Sequence, residues 1–282
     1  MLISRGAGTY RRDFCWRARL GSAMPSKHSF SLLCVFSIAA AGSELADGWK
    51  TIHVYVGNET DDPHSVFNHA YSPAHHIWHS QVGQDKTVAL LTQGAPGFFV
   101  DLAANDAVKL SNTLTLERDF GWDGICIEPN PTYWLGLSRR KCAVVAVVAG
   151  RERDQSMQFV FGQAIGGLVG TQFDNKHVVQ GNTGTLHTLP LLEIFRKARV
   201  TRVIDYMSFD VEGAESFIGS VFPWREYRIN LLTVERPRED LKQILKMNAS
   251  MVHLKTHGRF GDEMWCHVDK EAKYRRILRI SP

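Results

Sequence analysis

Short apolar runs rich in β-branched residues alternate with stretches of helical periodicity from Ser80 to the end of the chain. Such alternation predicts βαβ units and a mostly parallel sheet, so we expect an α/β domain over residues 80–282. The apolar runs predict five strands, at 98–102, 124–128, 143–148, 203–209 and 230–235. Apolar residues spaced by three and four positions predict five helices, at 111–120, 131–139, 191–198, 214–220 and 239–247.

Two further apolar runs, at 251–256 and 263–267, flank the turn-forming sequence His257-Gly258-Arg259-Phe260-Gly261. This pattern predicts an antiparallel hairpin at the edge of the sheet. Residues 43–79 are polar and contain several glycines and prolines, so they are expected to form an irregular approach segment with one strand at 52–56. A chain of 282 residues is long enough for one large α/β domain and a leader.

Residues 1–42 have the composition of a targeting leader. Six basic residues and one acid occupy positions 1–28, and an apolar run at 30–41 ends in small residues. This run is shorter than the roughly 20 residues that span a bilayer. We expect a cleaved signal peptide or a short signal anchor, and a location in the secretory pathway or outside the cell. The Arg-rich, acid-poor composition also fits an organelle transit segment, and Met24 is an alternative start that leaves a cytoplasmic location open.

The charge of the remaining chain gives no general attraction for polyanions. The whole chain has 33 basic and 29 acidic residues, and residues 1–28 account for all of the basic excess. The domain beyond them is close to neutral, so nucleic acid is not an expected partner.

The cysteines and histidines show no spacing typical of a metal site. Outside the leader, Cys126, Cys142 and Cys266 form an odd set; Cys126 and Cys142 are expected as buried small residues in strands, with no disulfide framework. Trp134 and Trp265 are expected in the core rather than in a substrate pocket. Five histidines are expected in a solvated loop of the approach segment, namely His64, His69, His75, His76 and His79.

Two predicted strands end in acids that would meet at one edge of a parallel sheet. Asp101 leads into a loop of small residues, 103–107, and Glu128 ends the next strand. Ligands of open α/β sheets bind outside the carboxyl ends of the strands, where a carboxylate can accept both hydroxyls of a ribose. The loop lacks the G-x-G-x-x-G sequence that holds a pyrophosphate, so a nicotinamide dehydrogenase is disfavoured. S-adenosylmethionine, which has a ribose and no pyrophosphate, fits better.

Several motifs follow one another in the order found in FkbM-type methyltransferases, and the chain resembles this family over roughly residues 80–268. The motifs are Ser80-Gln81-Val82-Gly83-Gln84-Asp85, the stretch 98–107, Leu110-Ser111-Asn112-Thr113, Gly121-Trp122-Asp123-Gly124, Ile127-Glu128-Pro129-Asn130-Pro131, Asp210-Val211-Glu212-Gly213-Ala214-Glu215 and Leu232-Thr233-Val234-Glu235. The resemblance implies a Rossmann-like class I methyltransferase fold, S-adenosylmethionine as cofactor and methylation of a hydroxyl oxygen.

The resemblance also implies a set of cofactor-binding residues. Asp101 and its loop would hold the methionine end, Glu128 the ribose, and the turn 128–131 part of the adenine. The full set is Gln81, Asp85, Asp101, Ala103, Asn105, Asp106, Ser111, Asn112, Glu128, Pro129 and Asn130. The chain departs from the family at Ala103 and Ala107, where glycine is usual. A left-handed backbone at either position would cost alanine roughly 1 to 2 kcal/mol.

Asp210 and Glu212 are the candidate catalytic residues. They follow the predicted strand 203–209, and methyl transfer to an alcohol needs a group that removes the hydroxyl proton as the oxygen attacks. Together with Glu235, at the end of the next strand, they would alternatively hold a divalent cation such as Mg²⁺, because carboxylate oxygens suit it. A structural role is the third alternative.

These patterns predict an O-methyltransferase that acts on an unidentified small molecule or glycan. The alternative is a non-catalytic secretory or membrane-associated binding protein that keeps the fold, motivated by Ala103, Ala107 and the leader. The acceptor pocket is expected in variable loops at 43–79 and 151–189. No membrane span is expected after the leader is processed.

Overall fold

A nine-stranded mixed sheet organises the part of the chain that the computed structural model describes, which comprises residues 35–38, 52–55, 76–162, 165–176 and 182–281. These ranges lie within the unit Leu32–Pro282. The predicted leader, the approach segment and three of its histidines, His64, His69 and His75, therefore fall largely outside the described residues.

Thirteen strands and seven α-helices occur in the described ranges. The strands are β1 (Val35–Ile38), β2 (Ile52–Tyr55), β3 (Phe98–Leu102), β4 (Asp123–Ile127), β5 (Ala143–Ala146), β6 (Val148–Gly150), β7 (Ser156–Val160), β8 (Gly167–Leu168), β9 (Thr183–Pro190), β10 (Val203–Phe209), β11 (Arg228–Val234), β12 (Met251–His257) and β13 (Asp262–His267). The helices are α1 (Gln84–Thr92), α2 (Leu114–Phe120), α3 (Pro131–Leu137), α4 (Leu191–Lys197), α5 (Glu215–Gly219), α6 (Glu239–Met247) and α7 (Glu271–Leu278).

The strand order of the main sheet is β1-β2-β5-β4-β3-β10-β11-β13-β12. Five adjacent strands in the middle of this order, β5, β4, β3, β10 and β11, are all parallel to one another. β13 and β12 continue the sheet as an antiparallel hairpin at one edge, and β2 and β1 add antiparallel at the other. The α/β class, the mostly parallel seven-stranded core from β5 to β12 and the C-terminal hairpin are therefore confirmed, and β2 lies at the predicted strand 52–56.

Helices cover both faces of this sheet because each central strand alternates its side chains between two apolar clusters. Val100 and Ile127 pack in one cluster with residues of α4, α5 and α6. Phe99 and Cys126 pack in the other with residues of α1, α2, α3 and α7. The chain runs from β3 to β4 and β5 on one side, whereas β10 and β11 lie on the other side of β3. The strand order reverses between β3 and β10, which is where ligands bind in open α/β sheets.

A second sheet occupies the segment that the sequence indicated as a variable loop, 151–189. Its order is β6-β9-β7-β8, with β6 parallel to β9 and both other pairs antiparallel. The strand predicted at 143–148 is accordingly wrong only at its last two residues, 147 and 148. The Val147 N–H donates to the Val145 carbonyl at 3.1 Å, and this turn ends β5 before Val148 begins β6.

The helix predicted at 111–120 begins three residues late, at Leu114. Ser111 Oγ accepts the backbone N–H groups of Leu114 (3.1 Å) and Thr113 (3.4 Å), so Ser111 belongs to the turn that precedes the helix. The other four predicted helices match within two residues at each end. None of the helices in the described ranges has the length and apolar character that crossing a bilayer requires.

Cys126 and Cys142 form a disulfide, so the expectation of two unpaired cysteines was wrong. Cys126 lies in β4, and Cys142 directly precedes β5, which is parallel to β4. Their Cα atoms are 6.0 Å apart, a distance that a disulfide spans. Cys266 is a buried free thiol on β13. The pairing depends on β4 lying beside β5, which the spacing of the cysteines does not specify.

Candidate functional site

A cavity of about 920 Å³ opens at the carboxyl ends of β3, β4, β10 and β11, where the strand order reverses. This volume lies in the range of small-molecule and cofactor sites. The predicted site residues that line it are Gln81, Asp101, Ala103, Asn105, Asp106, Asn112, Glu128, Pro129, Asn130, Asp210 and Glu212. Ser111 and Asp85 do not line it.

Asp101 lies near the end of β3 and is only 3% exposed. Thr113 Oγ1 donates to its Oδ2 at 2.6 Å. Burial raises the pKa of Asp101, while the Thr113 hydroxyl and the Arg140 guanidinium oppose that rise. A buried network therefore fixes this carboxyl at the cavity wall.

Arg140 is the centre of that network. Its guanidinium donates to Thr113 Oγ1 (2.8 Å) and to Ser111 Oγ (3.0 Å), and it forms an ion pair with Glu117 at 3.2 Å. The Arg140 side chain is fully buried, and Glu117 is 5% exposed. Ser111 therefore binds Arg140 within the network that holds Asp101, and its side chain does not line the cavity.

The loop after β3 follows a left-handed path. Ala103 has φ +63 and Asn105 has φ +55, whereas Ala107 is not among the described residues with positive φ. The Ala103 N–H donates to the Ile127 carbonyl at 2.9 Å, which pins the loop to the end of β4. Asp106 Oδ1 accepts the N–H of Lys109 at 2.7 Å and closes the turn. Of the two positions at which the sequence comparison with that family expected glycine, Ala103 is the one under backbone strain.

Glu128 directly follows β4 and is 4% exposed. Its Oε2 accepts the Asn105 N–H at 2.8 Å, and its Oε1 accepts the Asn130 N–H at 2.7 Å. Burial raises the pKa of Glu128 to about 7, although these two hydrogen bonds oppose the rise. Each carboxyl oxygen keeps acceptor capacity beyond its one N–H partner.

Asn130 caps the N-terminus of α3, because its Oδ1 accepts the Thr132 N–H at 3.1 Å. The Trp134 Nε1–H donates to the Glu128 carbonyl at 2.8 Å. Trp134 is half-buried beside Glu128, whereas Trp265 lies in the core at 1% exposure, as predicted for Trp265. The turn 128–131 is thus held in one conformation against the cavity.

Asn112 adds an unused acceptor to the same wall. Its Nδ2 donates to Ser208 Oγ at 2.9 Å, and its buried Oδ1 has no partner among the described residues. This oxygen is therefore an acceptor at the cavity wall for a donor of a ligand or a water molecule.

Asp85 is buried but faces away from the cavity. Its carboxylate accepts hydrogen bonds from Ser80 Oγ (2.5 Å), the His79 N–H (2.8 Å) and Thr115 Oγ1 (3.0 Å). Asp85 therefore fixes the segment before α1, which carries Gln81 to the cavity. The two described histidines of this segment also bind protein groups: His76 contacts Asp119 and His79 contacts Thr115.

Acidic side chains gather at the other end of the cavity. Asp210 and Glu212 follow β10, and Glu235 follows β11. Burial, Glu235 and Glu212 raise the pKa of Asp210 well above its ordinary value. Burial and Glu235 raise the pKa of Glu212 to about 7, and Arg236 opposes that rise. At least one of these carboxyls is therefore poised to exchange a proton near neutral pH.

Several lining residues were missed from the sequence. The second sheet contributes Phe159 and Leu168, the segment after β8 contributes Asp174, and the residue after Glu235 contributes Arg236. Polar and apolar residues alternate from Ser156 to Phe159 in β7, and this pattern was a usable strand signal. Nothing in it indicated that the strand borders a cavity.

No protein-family model matches the chain, and no curated protein matches it either. The case for a function therefore depends on the chemistry of the cavity.

Proposed function

We propose that the chain is an S-adenosylmethionine-dependent methyltransferase with a Rossmann-like class I fold, of the FkbM type that its motifs resemble, and that it methylates a hydroxyl oxygen of a small molecule or glycan. The observation that carries the proposal is one cavity, at the reversal point of a parallel sheet, that brings together Asp101, Glu128 and Asp210. These residues come from three different strands, and each falls at a position that the motifs assign.

The residues present fit the cofactor. Glu128 has acceptor capacity on both oxygens for a ribose diol, and Asn112 Oδ1, which has no partner among the described residues, suits an ammonium donor at the methionine end. Seven acidic and three basic residues line the cavity, and a cationic ligand would stabilise the ionised forms of the acids whose pKa burial raises. When bound, S-adenosylmethionine supplies a methyl group on a positively charged sulfur, which an oxygen nucleophile displaces.

Asp210 is the proposed general base. Burial and the neighbouring carboxylates of Glu235 and Glu212 raise the pKa of Asp210 well above its ordinary value, and a more basic carboxylate removes a hydroxyl proton more effectively. The proton of the acceptor hydroxyl passes to Asp210 as the oxygen attacks the methyl group. Glu212, two residues on, is the second candidate for this role.

Calorimetric binding of S-adenosylhomocysteine tests the cofactor site. We expect micromolar binding to the wild type and none to Glu128→Ala, because the substitution removes the buried acceptor for the ribose. Asp123→Asn is the matched control, since Asp123 is an exposed acid at the opposite end of the same strand, β4. A well-folded wild type that does not bind S-adenosylhomocysteine would contradict the proposal.

A non-catalytic binding protein is the second candidate, and the strained Ala103 favours it. The loop of a cofactor site under selection for tight binding would be expected to keep glycine at φ +63. Absence of S-adenosylhomocysteine binding to the folded wild type is the result that this candidate requires.

We also propose a location in the secretory pathway, with no stable membrane span after leader processing. The Cys126–Cys142 disulfide supports it, because such bonds persist in oxidising compartments and are rare in the cytosol. The sequences Asn58-Glu59-Thr60 and Asn248-Ala249-Ser250 match the N-glycosylation acceptor pattern. Immunolocalisation of the full chain, with these two asparagines scored for glycan, separates this location from the cytoplasm and from organelles that import transit peptides.

A further inference from the structure

Arg236 places one guanidinium nitrogen among three carboxylates. Its Nη2 lies 2.6 Å from Asp174 Oδ2, 2.8 Å from Glu235 Oε1 and 3.7 Å from Glu212 Oε2. The three acids come from separate segments, which follow β8, β10 and β11. A single cation therefore joins the second sheet to the two strand ends that carry the candidate catalytic acids.

The same three acids form a group that could hold a metal ion, because a carboxylate oxygen of each lies within 4.8 Å of the others. A divalent cation would need these oxygens at about 2.0 to 2.6 Å and would carry the charge that the guanidinium already supplies. Because Arg236 Nη2 lies within 3.7 Å of an oxygen of all three acids, a metal could reach the three together only by displacing the guanidinium. Arg236 thus stands where a metal would have to bind.

A second acidic group, Asp210, Glu215 and Glu235, is partly committed to the backbone. Glu215 Oε1 accepts the N–H groups of Val211 (3.0 Å) and Gly213 (3.2 Å), which stabilises the loop after β10. Glu235 belongs to both groups, and its Oε1 is held by Arg236. The contacts of Arg236 therefore compete with a metal in the first group, whereas in the second group Glu235 Oε2 has no partner among the described residues.

We propose that Arg236 is a built-in counter-ion that takes the place of a divalent cation and positions Glu212 and Glu235 beside Asp210. The part that concerns catalysis rests on the proposed function, whereas the exclusion of metal ions by Arg236 does not. Arg236 is thus a positioning residue, and the candidate base works without a bound metal.

Mn²⁺ titration of the full chain, followed by calorimetry, tests the exclusion directly. We expect no stoichiometric Mn²⁺ binding to the wild type, and one site on Arg236→Gln that is at least about tenfold tighter, because three neighbouring carboxylates lose their cation. Adding Asp174→Asn to Arg236→Gln should abolish that site. Arg238→Gln is the matched control, since Arg238 is an exposed neighbour that donates to the Gln172 carbonyl and is not ion-paired with this cluster.

Two results would overturn the inference: wild type that binds Mn²⁺ as tightly as Arg236→Gln, or a folded Arg236→Gln that gains no site. Arg236→Lys covers the case in which Arg236→Gln fails to fold. The lysine keeps a positive charge among the acids, so it should still exclude Mn²⁺, and binding to it at the strength expected for the glutamine variant would count against the proposal. S-adenosylhomocysteine binding, which depends on Glu128, separates failure of this inference from failure of the proposed function.

Discussion

At the scale of a single residue, Ala103 is where the loop after β3 is under backbone strain. Its φ of +63 is left-handed, and a Cβ atom there costs more than the extra chain entropy that glycine would lose on folding. We therefore expect Ala103→Gly to raise the free energy of unfolding by about 0.5 to 1 kcal/mol. Urea unfolding of the apo protein, followed by circular dichroism, measures the difference.

Ala107→Gly is the control for this prediction, because Ala107 is small and buried but is not among the described residues with positive φ. Its methyl group packs where Gly136 approaches, so its loss removes contact and adds chain entropy to the unfolded state. We expect Ala107→Gly to lower stability by about 1 kcal/mol. Equal effects of the two substitutions would show that strain at Ala103 is not what distinguishes them.

Whether a residue could be placed at the cavity from the sequence depended on whether its own strand or a distant contact sets its position. Asp101, Glu128 and Asp210 could be placed from the sequence, because the carboxyl ends of parallel strands must meet at one edge. Ser111 and Asp85 could not be excluded, because the direction of each side chain is decided by hydrogen bonds to Arg140, Ser80 and Thr115 that no pattern specifies.

At the scale of elements, strands that form continuous apolar runs were predictable, whereas the more polar strands β7 and β9 and the very short β8 were not. β3 and β10 are fixed by their own apolar sequence, whereas β8 has two residues and forms only because β7 lies beside it. Pairing between distant segments, such as β7 with β9, is set by the fold as a whole. The second sheet, and hence part of the cavity wall, was therefore missed.

The disulfide links β4 to the start of β5, close to Glu128. It closes a loop with a sequence separation of 16, for which chain entropy gives a stabilisation of roughly 3 kcal/mol. We expect Cys126→Ala/Cys142→Ala to lose stability of this order, and the wild type to lose a similar amount in reductant. Chemical unfolding with and without dithiothreitol measures both.

Reductant should leave the stability of the double variant unchanged, and this is the internal control. Cys266→Ala in the wild-type background should keep the response to reductant, because Cys266 is a free thiol. Peptide mapping of the unreduced protein must show Cys126 linked to Cys142. Free thiols at both positions in protein purified from an oxidising compartment would contradict the pairing.

At the scale of the whole molecule, the parallel sheet concentrates acids at one end, because strands β3, β4, β10 and β11 all deliver them there. Burial raises the pKa of Glu128, Glu212 and Glu215 to about 7 from an ordinary 4.5. The folded protein therefore binds more protons than the unfolded chain between about pH 4.5 and 7, so the free energy of unfolding falls as the pH rises through this window. Burial lowers the pKa of His257 to about 4, which acts in the opposite direction between about pH 4 and 6.5.

Because the acids outnumber this histidine, we expect the apo protein to be more stable at pH 5.5 than at pH 8. Glu212→Gln removes one of the groups that must lose a proton and relieves Asp210, so its stability should fall less over the same range, by about 1 to 3 kcal/mol. Glu239→Gln, on an exposed position of α6, should follow the wild type. Urea unfolding of the three proteins at both pH values measures these differences. A wild type whose stability increases from pH 5.5 to 8 would mean that the clustered acids are ionised at little cost in free energy. The argument for Asp210 as a proton acceptor would then lose its physical basis.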